Sequence, residues 1–316
     1  MEPGLEVKLG PLQLRTPVMP ASGTFGYGDE YKDLIPVEVL GAVVTKSISL
    51  TPSPGNPPPR LWEVEGGLIN SIGLQNVGID AFLEGKLPSL RELGVPIIVS
   101  FFGMTEDEYP RCAERLCRAE GIAALEANLS CPNVKRGGMA FGAQPEVVQR
   151  ITRAVKEVAG LPLLVKLPPD PFHILEIAEG AVYGGADALT LANTLPAMVV
   201  DIERQKPSLG GGVGGLSGPA LKPVALRIVY EVSRKLQVPI VASGGIRSAS
   251  DAVEFIMVGA TALQVGTATF ADPMTIPRVV EGLKTFLKDR GYDRLQKLQG
   301  IIHGTRMESV GRGRKG

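Results

Sequence analysis

Gly185-Ala186-Asp187-Ala188-Leu189 and Gly259-Ala260-Thr261-Ala262-Leu263 repeat one pattern. In each, a glycine follows a helix-like stretch, a small residue comes next, and a short apolar run begins. Glycine closes helices because it enters the left-handed conformation without steric cost, so the pattern predicts a helix end feeding directly into a buried strand. Similar short apolar runs occupy Pro17–Ala21, Ala42–Lys46, Pro96–Ser100, Ala124–Asn128, Pro162–Lys166, Ala188–Ala192, Pro239–Ala242 and Ala262–Val265. Helix-like stretches follow most of them: Thr105–Glu120, Pro145–Ala159, Pro171–Tyr183, Pro219–Leu236, Ser248–Val258 and Pro273–Arg290. Thr105 with Glu108 and Ser248 with Asp251 stand at capping-box spacing, and Pro145 and Pro273 suit a first helical turn. Strand alternating with helix implies a parallel sheet. Eight such units predict a (β/α)8 barrel of the TIM type, an α/β fold, with residues 1–316 as one domain; a doubly wound open sheet is the alternative.

Two intervals exceed what a βα loop needs: Leu50–Gly78, rich in Pro and Gly, and Leu195–Gly218, which contains Gly210-Gly211-Gly212-Val213-Gly214-Gly215. Long loops in compact domains are usually lids or binding loops, so both are expected as active-site insertions, against the alternative of a loose surface excursion for the second. The 39 glycines and 26 prolines then belong to ordered turns rather than to low complexity. A 44% hydrophobic content allows a large core. Equal numbers of basic and acidic residues, 33 each, give no field for nucleic acid or an anionic membrane. Three cysteines (Cys112, Cys117, Cys131) without a C-x-x-C pair argue against structural zinc or a cluster on this chain, and suit a reducing cytoplasm. The start lacks a basic-then-apolar leader and no apolar run is long enough to span a bilayer, so neither export nor membrane insertion is expected.

In such barrels the chemistry sits just past the strand ends. There the sequence places Ser22, Lys46, Phe101, Asn128 with Cys131 and Asn133, Lys166, Asn193 with Thr194, Gly244-Gly245 and Gly266-Thr267. The last two tips suit a phosphate, because glycines let the backbone approach an anion and offer its N–H groups directly. Tight turns alone are the plainer reading. Lys46 and Lys166 fit either a Schiff base or a fixed positive charge beside a cofactor or anionic substrate. Asn70, Asn76, Asn128, Asn133 and Asn193 each offer a donor and an acceptor, as a planar ligand with alternating N–H and C=O edges requires, although any one of them could simply hold its own turn. Cys131 follows the fourth strand directly. An unperturbed thiol is only about 3% thiolate at pH 7, so a base role there needs help from its setting or from higher pH. Cys112 and Cys117 lie on a helical stretch and read as packing residues, and His173 and His303 lie away from every strand tip.

Pro20-Ala21-Ser22-Gly23-Thr24, Thr45-Lys46-Ser47, Asn70-Ser71-Ile72-Gly73-Leu74-Gln75-Asn76, Asn128–Asn133, Leu189–Thr194, Leu216-Ser217-Gly218-Pro219-Ala220, Ser243-Gly244-Gly245-Ile246 and Gly266-Thr267 occur in this order. Together they resemble the dihydroorotate dehydrogenases over nearly the whole chain. The resemblance implies an FMN-bearing (β/α)8 barrel that oxidises dihydroorotate to orotate in pyrimidine synthesis. By position, Lys46 would lie between flavin and substrate. Asn70, Ile72, Gly73, Leu74, Asn128, Asn133, Asn193 and Thr194 would hold orotate. Ala21, Ser22, Lys46, Asn128, Lys166, Gly218, Gly244, Gly245, Gly266 and Thr267 would contact FMN, with Gly244, Gly245, Gly266 and Thr267 around its phosphate. In the family a base takes the C5 proton as C6 passes hydride to flavin N5, and Cys131 occupies the base position.

Cys131-Pro132-Asn133-Val134-Lys135-Arg136-Gly137-Gly138, Phe141-Gly142, Asp201-Ile202-Glu203 and Lys206-Pro207 resemble the heteromeric, NAD-linked type of the family. That likeness implies a partner subunit carrying FAD and a 2Fe-2S cluster, and a homodimeric core within a heterotetramer. A stand-alone, fumarate-linked homodimer and a dihydropyrimidine dehydrogenase-like enzyme are the nearer alternatives. A flavin-free Schiff-base aldolase and a non-catalytic phosphate-binding module are the more distant ones.

Overall fold

The computed structural model describes residues 2–129 and 139–304. All eight expected strands form: β1 (Val18–Pro20), β2 (Val43–Val44), β3 (Ile97–Phe101), β4 (Ala124–Asn128), β5 (Leu163–Lys166), β6 (Ala188–Leu191), β7 (Ile240–Ser243) and β8 (Ala262–Val265). They make one parallel eight-stranded sheet in the order β1-β8-β7-β6-β5-β4-β3-β2. The ring is completed where the Gly41 N–H donates to Val18 O at 2.8 Å. A side chain at Gly41 would run into Thr16 O, so only glycine lets the chain pass this closely beside β1. Strands β3 to β8 are buried along their whole length, which is why they read as apolar runs rather than as alternating ones. The architecture is a (β/α)8 TIM barrel.

The repeated glycine pattern closes two helices in the same way. Gly185 (φ 99°) and Gly259 (φ 115°) are left-handed. Gly185 N–H donates to Val182 O and Ala186 N–H to Ala181 O; Gly259 N–H donates to Ile256 O and Ala260 N–H to Phe255 O. This is the Schellman arrangement, and it satisfies carbonyls the helix end would otherwise leave bare. The next residue joins the barrel at once: Asp187 N–H donates to Leu163 O and Thr261 N–H to Ile240 O.

Helix starts follow expectation in part. Ser248 caps Ala249–Met257 by accepting from Asp251 N at 3.2 Å. Pro145 opens Pro145–Val158. Thr105, by contrast, caps nothing: its hydroxyl is spent on Asp107 at 2.7 Å and the helix is Glu108–Cys117. Pro273 precedes its helix, Thr275–Asp289, because Asp272 turns the chain there by accepting from Met274 N at 3.0 Å. Ile174–Tyr183 likewise starts late, since Asp170 accepts from Phe172 N and His173 N. No helix-like stretch is expected between β2 and β3, yet Ile79–Arg91 is helical, with a π turn at Phe82–Lys86. Pro88 lacks the N–H an α-helix would aim at Glu84 O, and the wider turn absorbs that loss.

The two long insertions are neither loose nor independent. Leu61–Val64, Gly67–Asn70, Val213–Ser217 and Leu195–Met198 pair as one antiparallel four-stranded sheet, the second interval supplying two strands and the first the other two. Asn70 pairs with Gly215 and Ile69 with Leu216. The end of the glycine run, from Val213, is therefore a strand, and Gly210–Gly212 form the turn that leads into it. A Cβ on Gly214 would run into Asn70 O, so the close pairing of the two insertions demands the missing side chain.

Candidate active site

Between the barrel mouth and this roof lies a cleft of 750 Å³, within the range of small-molecule and cofactor sites. Every described residue that the resemblance assigns to substrate or flavin lines it. Ala21 and Ser22 follow β1, Lys46 follows β2, Asn128 ends β4, and Lys166 ends β5. Asn193 and Thr194 follow β6, Gly244 and Gly245 follow β7, and Gly266 and Thr267 follow β8. The roof contributes Asn70, Ile72, Gly73, Leu74 and Gly218. Cys131 and Asn133 lie outside the described residues. Asn76 does not line the cleft: its side chain bonds Ser49, Leu74 O and Gly78 N, so it holds its own turn.

At one end of the cleft, the N–H groups of Gly244, Gly245 and Thr267 donate to no carbonyl among the described residues. Gly245 is left-handed (φ 75°), and a Cβ there would come within 2.9 Å of Gly218 O. Gly266 differs. Its neighbours leave ordinary contact distance for a Cβ, so packing does not require glycine and the space remains for a ligand. Thr267 Oγ1 donates to Ser217 Oγ at 2.7 Å, which ties this tip to the roof. Unspent amides at two glycine-lined tips are the donor set a phosphate needs.

The middle of the cleft is lined by a chain of small polar groups. Ser22 and Ser47 hydroxyls are 3.1 Å apart, Ser47 and Ser100 2.8 Å apart, and Asn128 Nδ2 donates to Ser47 Oγ at 3.3 Å. Asn193 Nδ2 donates to Asn128 Oδ1 at 3.4 Å, and Asn193 Oδ1 accepts from Thr194 N at 2.8 Å. Asn70 Nδ2 donates to Gly215 O at 3.2 Å. These amides come from strands and roof alike and converge on one volume, which suits a flat polar ligand.

The two lysines are held differently. Burial, with the Arg60 guanidinium next, depresses the Lys46 ammonium below the ordinary lysine value, and Glu30 opposes this. Lys166 is 4% exposed, and burial depresses its ammonium while Glu126 opposes. Its Nζ donates to Gln264 Oε1 at 3.1 Å. Cys112 is buried, and desolvation pushes its thiol up to about 12, so it packs rather than reacts. His173 is exposed beside its helix, and His303 bonds Val258 O at 2.9 Å at the far end of the barrel.

Sequence reasoning passed over Glu126 and Gln264, which lie beneath Lys166, and Arg60. The Arg60 guanidinium ties Asn56 O at 2.6 Å, Pro54 O at 3.0 Å and Gln75 Oε1 at 2.8 Å, bracing the turn that carries Ile72 to Leu74. Polar residues inside apolar strand runs were the available signal for Glu126 and Gln264; nothing local marked Arg60.

The dihydroorotate dehydrogenase family model matches residues 4–287. The catalytic subunit of dihydroorotate dehydrogenase B (NAD(+)) from Trichlorobacter lovleyi is 49% identical over 304 residues, covering 96% of this chain and 100% of the relative. The corresponding subunit from Geobacter sulfurreducens is 47% identical over 301 residues, covering 95% and 99%. Among solved structures, a DHODH from Eimeria tenella in complex with ferulenol superposes with a TM-score of 0.78 at 26% identity, over 95% of this chain and 89% of that one. A family match of this extent, on a barrel whose strand tips and roof enclose the expected residues, means that the chain belongs to the dihydroorotate dehydrogenases.

Proposed function

We propose that this chain is the catalytic subunit of an NAD-linked dihydroorotate dehydrogenase, a single barrel unit that binds FMN and oxidises dihydroorotate to orotate for pyrimidine synthesis. The observation that carries the reading is the cleft itself, which gathers a phosphate-type amide cradle, two lysines and converging asparagines in one volume. Gly244, Gly245, Gly266 and Thr267 would hold the FMN phosphate. Ala21, Ser22, Lys166 and Gly218 would line its ring and ribityl chain, with Lys46 and Asn128 reaching both flavin and substrate. When bound, FMN supplies a two-electron acceptor for the hydride leaving C6.

The chain's own residues would do the rest. Asn70, Asn128, Asn133, Asn193 and Thr194 would fix the amide edges of the pyrimidine, and the backbone of Ile72, Gly73 and Leu74 would face its carboxylate. Lys46 adds positive charge beside that anion, which orients it and offsets its desolvation. The roof sheet excludes water from the reacting carbons. Cys131 would take the proton from C5, as general bases positioned at a strand tip do.

Electrons would leave through a partner subunit carrying FAD and a 2Fe-2S centre, around a homodimeric core. The names of the relatives, catalytic subunits of an NAD(+)-linked enzyme, support a partner subunit and NAD as the acceptor. So does the likeness of the Cys131–Gly142 stretch to that type. No described helix is long and apolar enough to cross a membrane.

The deciding experiment is the visible spectrum of the purified chain, followed by anaerobic addition of dihydroorotate. Flavin bands that bleach, with FMN and not FAD released on denaturation, support the reading. A colourless chain that FMN cannot reconstitute overturns it. Bleaching by dihydrouracil but not dihydroorotate reassigns the substrate. Efficient turnover with fumarate by this chain alone reassigns the electron acceptor.

A further inference from the structure

Barrel interiors are usually filled by layers of branched apolar side chains. Here the layer beneath Lys166 is polar and sealed: Glu126, Thr190 and Gln264 are all 0% exposed. Glu126 stands two residues before Asn128 on β4 and so shares its inward face, but it does not line the cleft. Lys166 Nζ donates to Gln264 Oε1 at 3.1 Å. Gln264 Nε2 donates to Glu126 Oε2 at 2.7 Å, and Thr190 Oγ1 donates to the same oxygen at 2.9 Å. The Gln264 amide is thus oriented by chemistry at both ends, its oxygen toward an ammonium and its nitrogen toward a carboxylate. Reversed, it would set two donors together at one end and two acceptors at the other.

We propose that Glu126 is the buried counter-charge of Lys166, acting through the Gln264 amide to keep the ammonium charged and fixed in place at the floor of the cleft. A fully buried carboxylate is costly unless paired, and Glu126 Oε1 has no hydrogen-bond partner among the described residues. Hydrogen bonding alone therefore does not explain why an acid is kept here. The charge it can serve is Lys166, the cation joined to this network; Lys46 lines the same cleft outside it. Burial disfavours the Lys166 charge, and Glu126 is the group that opposes this. Glu126 is a positioning residue: it does not line the cleft and works through a residue that does.

The flavin arm of the test rests on the proposed function; the stability arm does not. In flavin-free chain, Glu126→Gln should lower the melting temperature by roughly 5 °C or more, as breaking a buried charge pair does, and change it little once Lys166→Met has removed the cation. In FMN-loaded chain, Glu126→Gln should lower the flavin midpoint potential, because the nearer cation is lost, and should leave the potential of Lys166→Met unlowered. Equal destabilisation in the two backgrounds overturns the proposal, as does a potential that rises equally in both. Should Glu126→Gln fail to fold, Gln264→Leu, which cuts the relay, is read in the same two backgrounds with the same expectations. A chain that takes up no FMN defeats the functional reading, while the unfolding cycle still decides the counter-charge.

Discussion

The floor of the cleft and its roof are built by opposite means. The floor is the end of a parallel barrel, where β4, β5, β7 and β8 deliver Asn128, Lys166, Gly244 and Gly266 from ladders whose neighbours are fixed by the fold. The roof is an antiparallel sheet assembled from two insertions, in which Asn70 and Gly215 meet across a separation of 145 residues. Its outer strands are exposed at Leu61 and Met198, and an inner one at Val213, whereas the layer beneath Lys166 is sealed. A rigid floor suits a resident cofactor, and a roof held by its own short ladder suits a substrate that must enter and leave.

The largest expected effect concerns Cys131, which lies outside the described residues. Cys131→Ala should slow flavin reduction by dihydroorotate about 10²- to 10⁴-fold in single-turnover measurements, the usual weight of a general base, with FMN retained. An unchanged rate would return the proton transfer to a floor or roof residue and redraw the division.

Two glycine replacements separate floor from roof directly. Gly245→Val forces a side chain into a left-handed position against Lys222 and Gly218 O, so FMN retention should fall about tenfold or more by equilibrium dialysis. Gly214→Val presses on Asn70 O across the roof ladder and should raise KM for dihydroorotate about tenfold while FMN stays bound. If Gly214→Val released flavin as readily as Gly245→Val, roof and floor would be one cooperative unit.

The difference also decided what the sequence could disclose. Buried parallel strands are apolar runs whoever their neighbours are, and Gly185 and Gly259 announce helix ends through a local backbone need, so the barrel was readable. The roof was not, because Gly67–Asn70 and Val213–Ser217 are short, interrupted by glycine and paired with each other at long range, leaving only the length of the two insertions as a sign of function. Site residues at strand tips were legible for the same reason as the strands. Glu126 and Gln264 were hidden inside runs that otherwise read as core. Thr105 and Pro273 matched helix-start patterns, but the Thr105 hydroxyl is spent on the Asp107 side chain, and at Pro273 the Asp272 side chain takes the Met274 N–H and turns the chain first.

A pH series sharpens the contrast from the stability side. Burial depresses the Lys166 ammonium in the folded chain, so between its folded value and the ordinary lysine value the unfolded chain binds more protons. Flavin-free protein should therefore gain stability as pH rises through that window, and Lys166→Met should flatten the slope. Urea unfolding at a set of alkaline pH values measures it; an unchanged slope in the mutant would place the titration elsewhere, with Lys46 the next group to replace.

The smallest expected effect concerns what holds the floor from outside. Ser248 caps the helix that follows β7, and its hydroxyl also donates to Asp251 Oδ2 at 2.8 Å. Asp251 in turn accepts from Arg247 N at 3.0 Å and from Lys222 Nζ at 2.7 Å, so the cap, the turn after Gly245 and the helix before β7, Lys222–Ser233, share one carboxylate. Burial pushes that carboxyl up, but the bonds from Lys222, Ser248 and Arg247 outweigh it and hold it below the usual carboxylate range. Ser248→Ala should cost about 1 kcal/mol in urea unfolding, the ordinary worth of an N-cap. Because a depressed carboxyl contributes stability only while ionised, the Asp251 contribution should persist at neutral pH and disappear as pH falls through its folded value. FMN affinity should follow only weakly, since Gly244 and Gly245 are also positioned by β7 itself. A Ser248→Ala variant that lost flavin as Gly245→Val does would show that the cradle depends on the cap and not on the strand.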